Sequence, residues 1–235
     1  SSMGVNRLSF GIQDFDPHVQ EEINRIQTPE LVDKLLTKKV REAFPAINFD
    51  LLIGLPAQTT DSIQRTIKSV IDLQPTQLQT MYMHYKPQTR KYMINMLRHG
   101  ALPDFYDRKA IFAQASEDLL NSGYTRAGFE SYSLPNDILT ESIENKKAYY
   151  ASLGTQKGEA TNFIAVGSSA HGSLGNEYYF QNYYEQNLYR NALKEDKLPI
   201  YRGMKLNNDD KIRQKLVKEI RTYFEVDFND YATEF

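Results

Sequence analysis

Three short runs rich in β-branched and aromatic residues, Val5 to Ile12, Ile47 to Ile53 and Gln77 to His84, alternate with longer stretches of helical periodicity. Strands alternating with helices predict a parallel sheet joined by crossover helices, an α/β fold. Between the first two runs Pro29 follows Thr28 at a helix start, and Leu31, Leu35, Leu36, Val40 and Phe44 keep a 3.6-residue stripe. Between the second and third, Thr60-Asp61 opens a helix whose stripe is Ile63, Ile67, Val70 and Ile71, ending near Pro75.

The pattern then loosens. A helical segment is expected from Pro87 through Leu97, and another from Arg108 to Asn121, with Ile111, Phe112, Ala115, Leu119 and Leu120 on one face and Ser122-Gly123 as its stop. Tyr124 to Tyr132 returns to strand character, and Asn136 to Gly158 reads as polar and irregular. Phe163 to Gly167 is expected as a short buried strand leading into the small-residue turn Ser168 to Gly172. Tyr178 to Asp196 reads as an amphipathic helix with tyrosines at the core edge, and a stacking surface for a flat ligand is the second reading. The last helix is expected to be capped at Asn208-Asp209, with Ile212, Leu216, Val217 and Ile220 on its apolar face.

Composition narrows the function classes. Hydrophobic residues make up 40% and charged residues 25% of the 235, the proportions of a globular chain. A net charge of -2 with interspersed signs offers no basic stripe for a phosphate backbone, which argues against nucleic acid as a partner. No run reaches the roughly 20 apolar residues of a membrane helix, and no signal-peptide order opens the chain, so a cytoplasmic location without a membrane partner is the expectation. There is no cysteine, which removes disulfides, thiolate nucleophiles and thiolate metal sites at once.

Polar residues at the C-terminal ends of parallel strands are the first candidates for chemistry, because the loops that follow them converge on one face. Here these are Gln13-Asp14, Asp50 with Gly54-Leu55-Pro56, and His84-Tyr85-Lys86. Gln13 offers an amide donor and acceptor suited to a hydroxyl pair. Asp50, between Phe49 and Leu51, is costly to bury, and either faces a polar cavity or forms a structural ion pair. Arg25 can grip a carboxylate bidentately or lie solvated on the surface. His84 and His171 lack second ligands at metal-binding spacing, so no metal site is expected, and Ser168, Ser169 and His171 form no hydrolase pattern.

Four ordered segments, Gly4-Val-Asn-Arg-Leu-Ser-Phe-Gly-Ile-Gln-Asp-Phe15, Asn24-Arg-Ile-Gln27, Asn48-Phe-Asp-Leu-Leu-Ile-Gly-Leu-Pro56 and Ala165-Val-Gly-Ser-Ser-Ala-His-Gly172, together resemble the oxygen-independent coproporphyrinogen III oxidase family of radical S-adenosylmethionine enzymes. The similarity continues through Tyr201-Arg-Gly203 to at least Lys211. It implies the C-terminal part of a partial (β/α)6 barrel over residues 1–135, a family-specific extension over 136–206 and the start of a helical C-terminal domain over 207–235. The chain resembles the family from its fourth strand onward, so the cysteine motif for a [4Fe-4S] cluster is expected in a missing N-terminal half of the barrel.

The resemblance implies that Gln13, Arg25 and Asp50 contact S-adenosylmethionine, and that His84 and His171 occupy two further pocket positions. Gln13 would serve the ribose hydroxyls, Arg25 the methionine carboxylate, and Asp50 the cationic or amino end. The implied partners are a tetrapyrrole substrate, held by anion contacts for which Lys86, Arg90 and Arg202 are candidates, and a reduced electron donor. Tyr82 to Pro87, Phe129 to Tyr132 and His171-Gly172 depart from the oxidase pattern, which leaves a haem chaperone, a haem-degrading methyltransferase and a non-catalytic fragment as alternatives.

Overall fold

The computed structural model describes residues 4–88, 93–94, 102–151, 154–158 and 162–234. Most of the helix expected after Pro87, including Arg90, lies outside them. The chain divides into two compact units, Ser1–Asn145 and Lys146–Phe235. Among the described residues no helix is long and apolar enough to cross a membrane.

The first unit is built on a five-stranded mixed sheet. Strands β1 (Arg7–Gln13), β2 (Ala46–Ile53) and β3 (Gln77–Tyr82) run parallel, as expected from the alternating pattern. Two short strands, β4 (Thr125–Arg126) and β5 (Ser131–Ser133), extend it antiparallel in the order β1-β2-β3-β5-β4. Helices α1 (Pro17–Glu22), α2 (Pro29–Leu35) and α3 (Lys38–Ala43) connect β1 to β2, and α4 (Thr60–Asp72) connects β2 to β3. Helix α5 (Phe105–Asn121) precedes β4, and α6 (Ile138–Glu144) closes the unit.

The core lies on one face of this sheet. Phe49, Leu51 and Ile53 of β2 meet Ile63, Ile67 and Val70 of α4 and Ile111, Ala115 and Leu119 of α5, all at most 1% exposed. Thr59 starts α4 through a capping box with Ser62, and Asp104 starts α5 through one with Asp107. Two expected stripes need correction. The Pro29–Phe44 segment is not one helix: Thr28 and Thr37 each cap a short helix, and the break at Leu36-Thr37 resets the phase. Val32 and Leu36 are therefore the buried pair, while Leu31 and Leu35 are half exposed. On α5, Leu120 is likewise turned outward.

The second unit is mainly antiparallel. A hairpin of β6 (Ala148–Ala151) and β7 (Gly154–Lys157) stands beside a four-stranded sheet of β8 (Asn162–Phe163), β9 (His171–Leu174), β10 (Tyr178–Asn182) and β11 (Ile200–Lys205), in the order β11-β10-β9-β8. Helices α7 (Gln186–Lys194), α8 (Asn208–Tyr223) and α9 (Phe228–Glu234) complete it.

Four expectations fail here, and for the tyrosine-rich stretch the reason is that pairing across the chain overrides local pattern. Residues 136–158 hold α6 and the hairpin rather than irregular coil. Tyr178 to Asp196 is not one helix, because Tyr178 to Asn182 pair with both β9 and β11 and only Gln186–Lys194 is helical. Phe163 to Gly167 is not a buried strand: β8 is a two-residue edge, and Ile164 and Val166 are exposed. Helix α8 is capped by Asn207, one residue earlier than expected, and its apolar positions Val217 and Ile220 are half exposed.

Candidate functional site

Strands β1 to β3 and β5 alternate with period two, and the residues that do not enter the core form a polar face. The register aligns two rows across four strands. Ser9, Asn48, Gln77 and Ser133 form one, and Gly11, Asp50, Gln79 and Ser131 the next. Their chain neighbours Phe10, Phe49, Leu78 and Tyr132 point into the core.

Asp50 sits in a neutral donor set. Ser9 Oγ donates to its Oδ2 at 2.8 Å and Asn48 Nδ2 to its Oδ1 at 2.7 Å, and Asn48 Nδ2 also reaches Ser9 Oγ at 2.8 Å. Among the described residues Asp50 makes no salt bridge, although its charge acts on the Arg7 guanidinium. Asn48 is 1% exposed, and its Oδ1 is buried without a hydrogen-bond partner. An unsatisfied buried amide oxygen is uncommon in folded proteins, and marks this face as one with spare polar capacity.

Next to this set, Arg7 Nε donates to Gln77 Oε1 at 2.8 Å, and Gln77 Nε2 to Asp137 Oδ1 at 2.8 Å. Burial lowers the Arg7 pKa, and the fields of Asp50 and Asp137 oppose that shift.

At the end of β1 the ladder slips between Gly11 and Gln13, and Gln13 takes a left-handed φ of 69°. The slip folds the Gln13 side chain back over Gly11. A Cβ built on Gly11 would lie 2.6 Å from Gln13 Nε2 and 3.3 Å from Arg25 Nη2, and Arg25 Nη2 donates to the Gly11 carbonyl at 2.5 Å. Since Asp50 is the ladder partner of Gly11, the structure gathers Gln13, Arg25 and Asp50 around one glycine. Sequence reasoning named the three side chains but not Gly11, Ser9 or Asn48. The missed signal was the alternation Arg7-Leu8-Ser9-Phe10-Gly11 and Asn48-Phe49-Asp50, polar or small against apolar.

A buried layer holds this arrangement. Gln20 donates to the carbonyls of Asp14 at 2.8 Å and Gln27 at 2.7 Å and accepts from Gln27 N at 3.0 Å, which fixes the loop carrying Arg25. Fully buried Asp14 accepts from Asp16 N at 2.8 Å, from Gln58 Nε2 at 2.7 Å and from Thr66 Oγ1. Burial raises the Asp14 pKa, and these hydrogen bonds counter only part of the rise. Gln58 Oε1 in turn accepts Gly54 N at 2.7 Å, where the strand exit takes a φ of 90° that favours glycine. Asp14, a strand-end candidate for chemistry in the sequence, thus ties the end of β1 to the exit of β2.

His84 is exposed two residues beyond β3, and no hydrogen bond links it to the Gly11 cluster. His171 is exposed on β9 of the second unit, opposite Gln181. Of the candidate anion contacts, Lys86 is exposed, and Arg202 donates to Gln181 Oε1 at 3.0 Å and Tyr184 OH at 3.2 Å. Among the described residues no three His, Asp or Glu side chains cluster as a metal site.

No family model matches the chain. It is 33% identical over 238 residues to the oxygen-independent coproporphyrinogen III oxidase of Pseudomonas aeruginosa, across 99% of this chain and 50% of that protein. It is 29% identical to the same-named protein of a Synechocystis species, across 97% of this chain and 52% of the relative. Among solved structures, the coproporphyrinogen III oxidase of Escherichia coli, described as a radical SAM enzyme, superposes with a TM-score of 0.87 at 30% identity, over 97% of this chain and 52% of that one. The chain therefore spans about half the length of the curated relatives it matches. On this similarity of sequence and structure, the chain belongs to the oxygen-independent coproporphyrinogen III oxidase family.

Proposed function

We propose that this chain is a segment of a radical S-adenosylmethionine enzyme that oxidatively decarboxylates propionate side chains of coproporphyrinogen III to vinyls, and that its part is to hold S-adenosylmethionine. On this reading the five-stranded sheet belongs to a partial (β/α)6 barrel with its polar face inward. The observation that carries the proposal is the convergence of Gln13, Arg25 and Asp50 around Gly11. An amide, a guanidinium and a carboxylate complement the hydroxyls, carboxylate and ammonium of the cofactor, and the missing Cβ of Gly11 leaves room for the Gln13 amide to lie over the strand.

Bound S-adenosylmethionine supplies a reductively generated, hydrogen-abstracting carbon radical. The protein's contribution is position. Ser9 and Asn48 hold the Asp50 carboxylate, Gln20 fixes the loop of Arg25, and the β1 slip aims Gln13. The [4Fe-4S] cluster does not fit this chain, since there is no cysteine to ligate it. The 235 residues alone are accordingly proposed to be inactive. His84 and His171 remain proposed pocket positions, and the tetrapyrrole and a reduced electron donor the proposed partners.

The test is anaerobic reconstitution of the full-length protein that contains this segment, with coproporphyrinogen III, S-adenosylmethionine and reductant, followed by mass analysis. Vinyl products are expected, and Asp50→Ala should lower S-adenosylmethionine affinity. Unchanged substrate in a preparation with an intact cluster would refute the reading.

A further inference from the structure

A cavity of about 440 Å³ lies between the β6–β7 hairpin and helix α8, within the second unit. Lysines dominate its wall, but three of the four are spoken for. Lys146 pairs with Glu225, Lys211 lies 3.7 Å from Glu177, and Lys215 lies 2.5 Å from Glu234 and 4.0 Å from Glu219. Lys218 has no carboxylate within salt-bridge range among the described residues. One helical turn onward on the same face, Thr222 is 2% exposed and its Oγ1 has no hydrogen-bond partner.

A cation without a counter-ion and a buried hydroxyl without a partner beside one cavity are costly for a fold to maintain empty. We propose that this cavity binds the carboxylate group of a small organic acid, with the Lys218 ammonium as charge partner and the Thr222 hydroxyl as hydrogen-bond donor. Burial lowers the Lys218 pKa, which a bound anion would reverse.

Charge balance selects the class of anion. One uncompensated ammonium matches a single negative charge. A phosphate carrying roughly -1.5 to -2 would leave excess charge beside Glu219 and Glu234 on the same wall. Ala148, Tyr149 and Tyr223 supply apolar surface for the organic part. The inference is independent of the S-adenosylmethionine reading, whose residues all lie elsewhere in the chain.

The experiment is an NMR titration of the chain, reading the Lys218 side-chain and Thr222 resonances, with butyrate as probe and butyramide and inorganic phosphate as comparisons. Butyrate should shift both resonances saturably, at least tenfold more tightly than butyramide or phosphate. Lys218→Met should weaken butyrate binding at least tenfold, and Lys218→Arg should restore most of it. The proposal is overturned by a non-saturating response, by butyramide or phosphate binding as tightly as butyrate, or by a Lys218→Met protein that binds butyrate unchanged. If Lys218→Met does not fold, the three-ligand comparison on the native chain decides alone.

Discussion

Substituting Gly11 by alanine should separate stability from binding at the same residue. The new Cβ would lie 2.6 Å from Gln13 Nε2, against a usual non-bonded separation of about 3.5 Å, so the amide tip must move by about 1 Å. Only the end of a flexible side chain has to yield, at a cost of about 0.5–1.5 kcal/mol. Reduced freedom of the unfolded chain returns about 0.4–1 kcal/mol. The net change in unfolding free energy should therefore stay within about 1 kcal/mol. The displaced amide forfeits one hydrogen bond to the ligand, about 0.5–1.5 kcal/mol, or roughly 2- to 10-fold in S-adenosylmethionine affinity. Urea unfolding gives the first quantity, and calorimetric titration of the full-length protein with S-adenosylmethionine gives the second. A double-mutant cycle makes the test specific, because Gly11→Ala acts mainly through Gln13 and should add little in a Gln13→Ala background, where only the 3.3 Å approach to Arg25 Nη2 remains. Additive losses in the cycle, or unfolding by more than about 2 kcal/mol in Gly11→Ala alone, would refute the reasoning.

Other glycines and buried polar groups yield further tests. Gly172→Ala would set a Cβ 2.3 Å from Phe180 Cζ and 2.7 Å from the backbone oxygen of Phe163, which cannot rotate away, so a loss of about 1–3 kcal/mol in urea unfolding is expected, with Phe180→Leu relieving part of it. Asp14 and Asp16 should impose opposite pH dependences on stability. The Asp14 pKa is raised by burial, so its contribution is full below the unfolded carboxylate pKa and is lost as pH rises through the folded value. Burial also pushes the Asp16 pKa up, but its hydrogen bonds and ion pair with Arg65 outweigh that and lower it, so its contribution is lost as pH falls through the folded value. Thermal melts across acid pH should show Asp14→Asn and Asp16→Asn each flattening its own limb. Tyr124 OH donates to the Pro75 carbonyl at 2.6 Å and its pKa is pushed up to about 12 by burial. Tyr124→Phe should cost about 0.5–1.5 kcal/mol at neutral pH and remove the stability loss expected as pH rises from about 10 towards that value.

Local pattern and tertiary outcome part company at identifiable residues. Helices α4 and α5 and the three parallel strands were legible because each carries its own period, although the cap of α4 is Thr59 rather than Thr60-Asp61 and α5 starts at Phe105 rather than Arg108. The stripe on α2 was misread at Leu31 and Leu35 because a capping threonine at position 37 breaks the helix, and five residues at the helical period do not reveal which face meets the core. Tyr178 to Asn182 were misread because β10 is specified by partners on both sides, β9 and β11, that no local window contains. At the candidate site, Gln13, Arg25 and Asp50 were named from sequence, whereas Gly11, Ser9 and Asn48 were not, since their importance is a matter of register.

The sequence alone determined the alternation of strands and helices in the first unit, and the absence of any thiolate, because both are properties of single residues or short windows. Tertiary structure decided which side of a period-two strand is polar and which side of a helix is buried. It also decided that the Asp50 carboxylate would accept hydrogen bonds from Ser9 and Asn48. The physical reason is that periodicity is a local sum over neighbours in the chain, while burial and hydrogen-bond satisfaction are set by whatever distant segment arrives on that face.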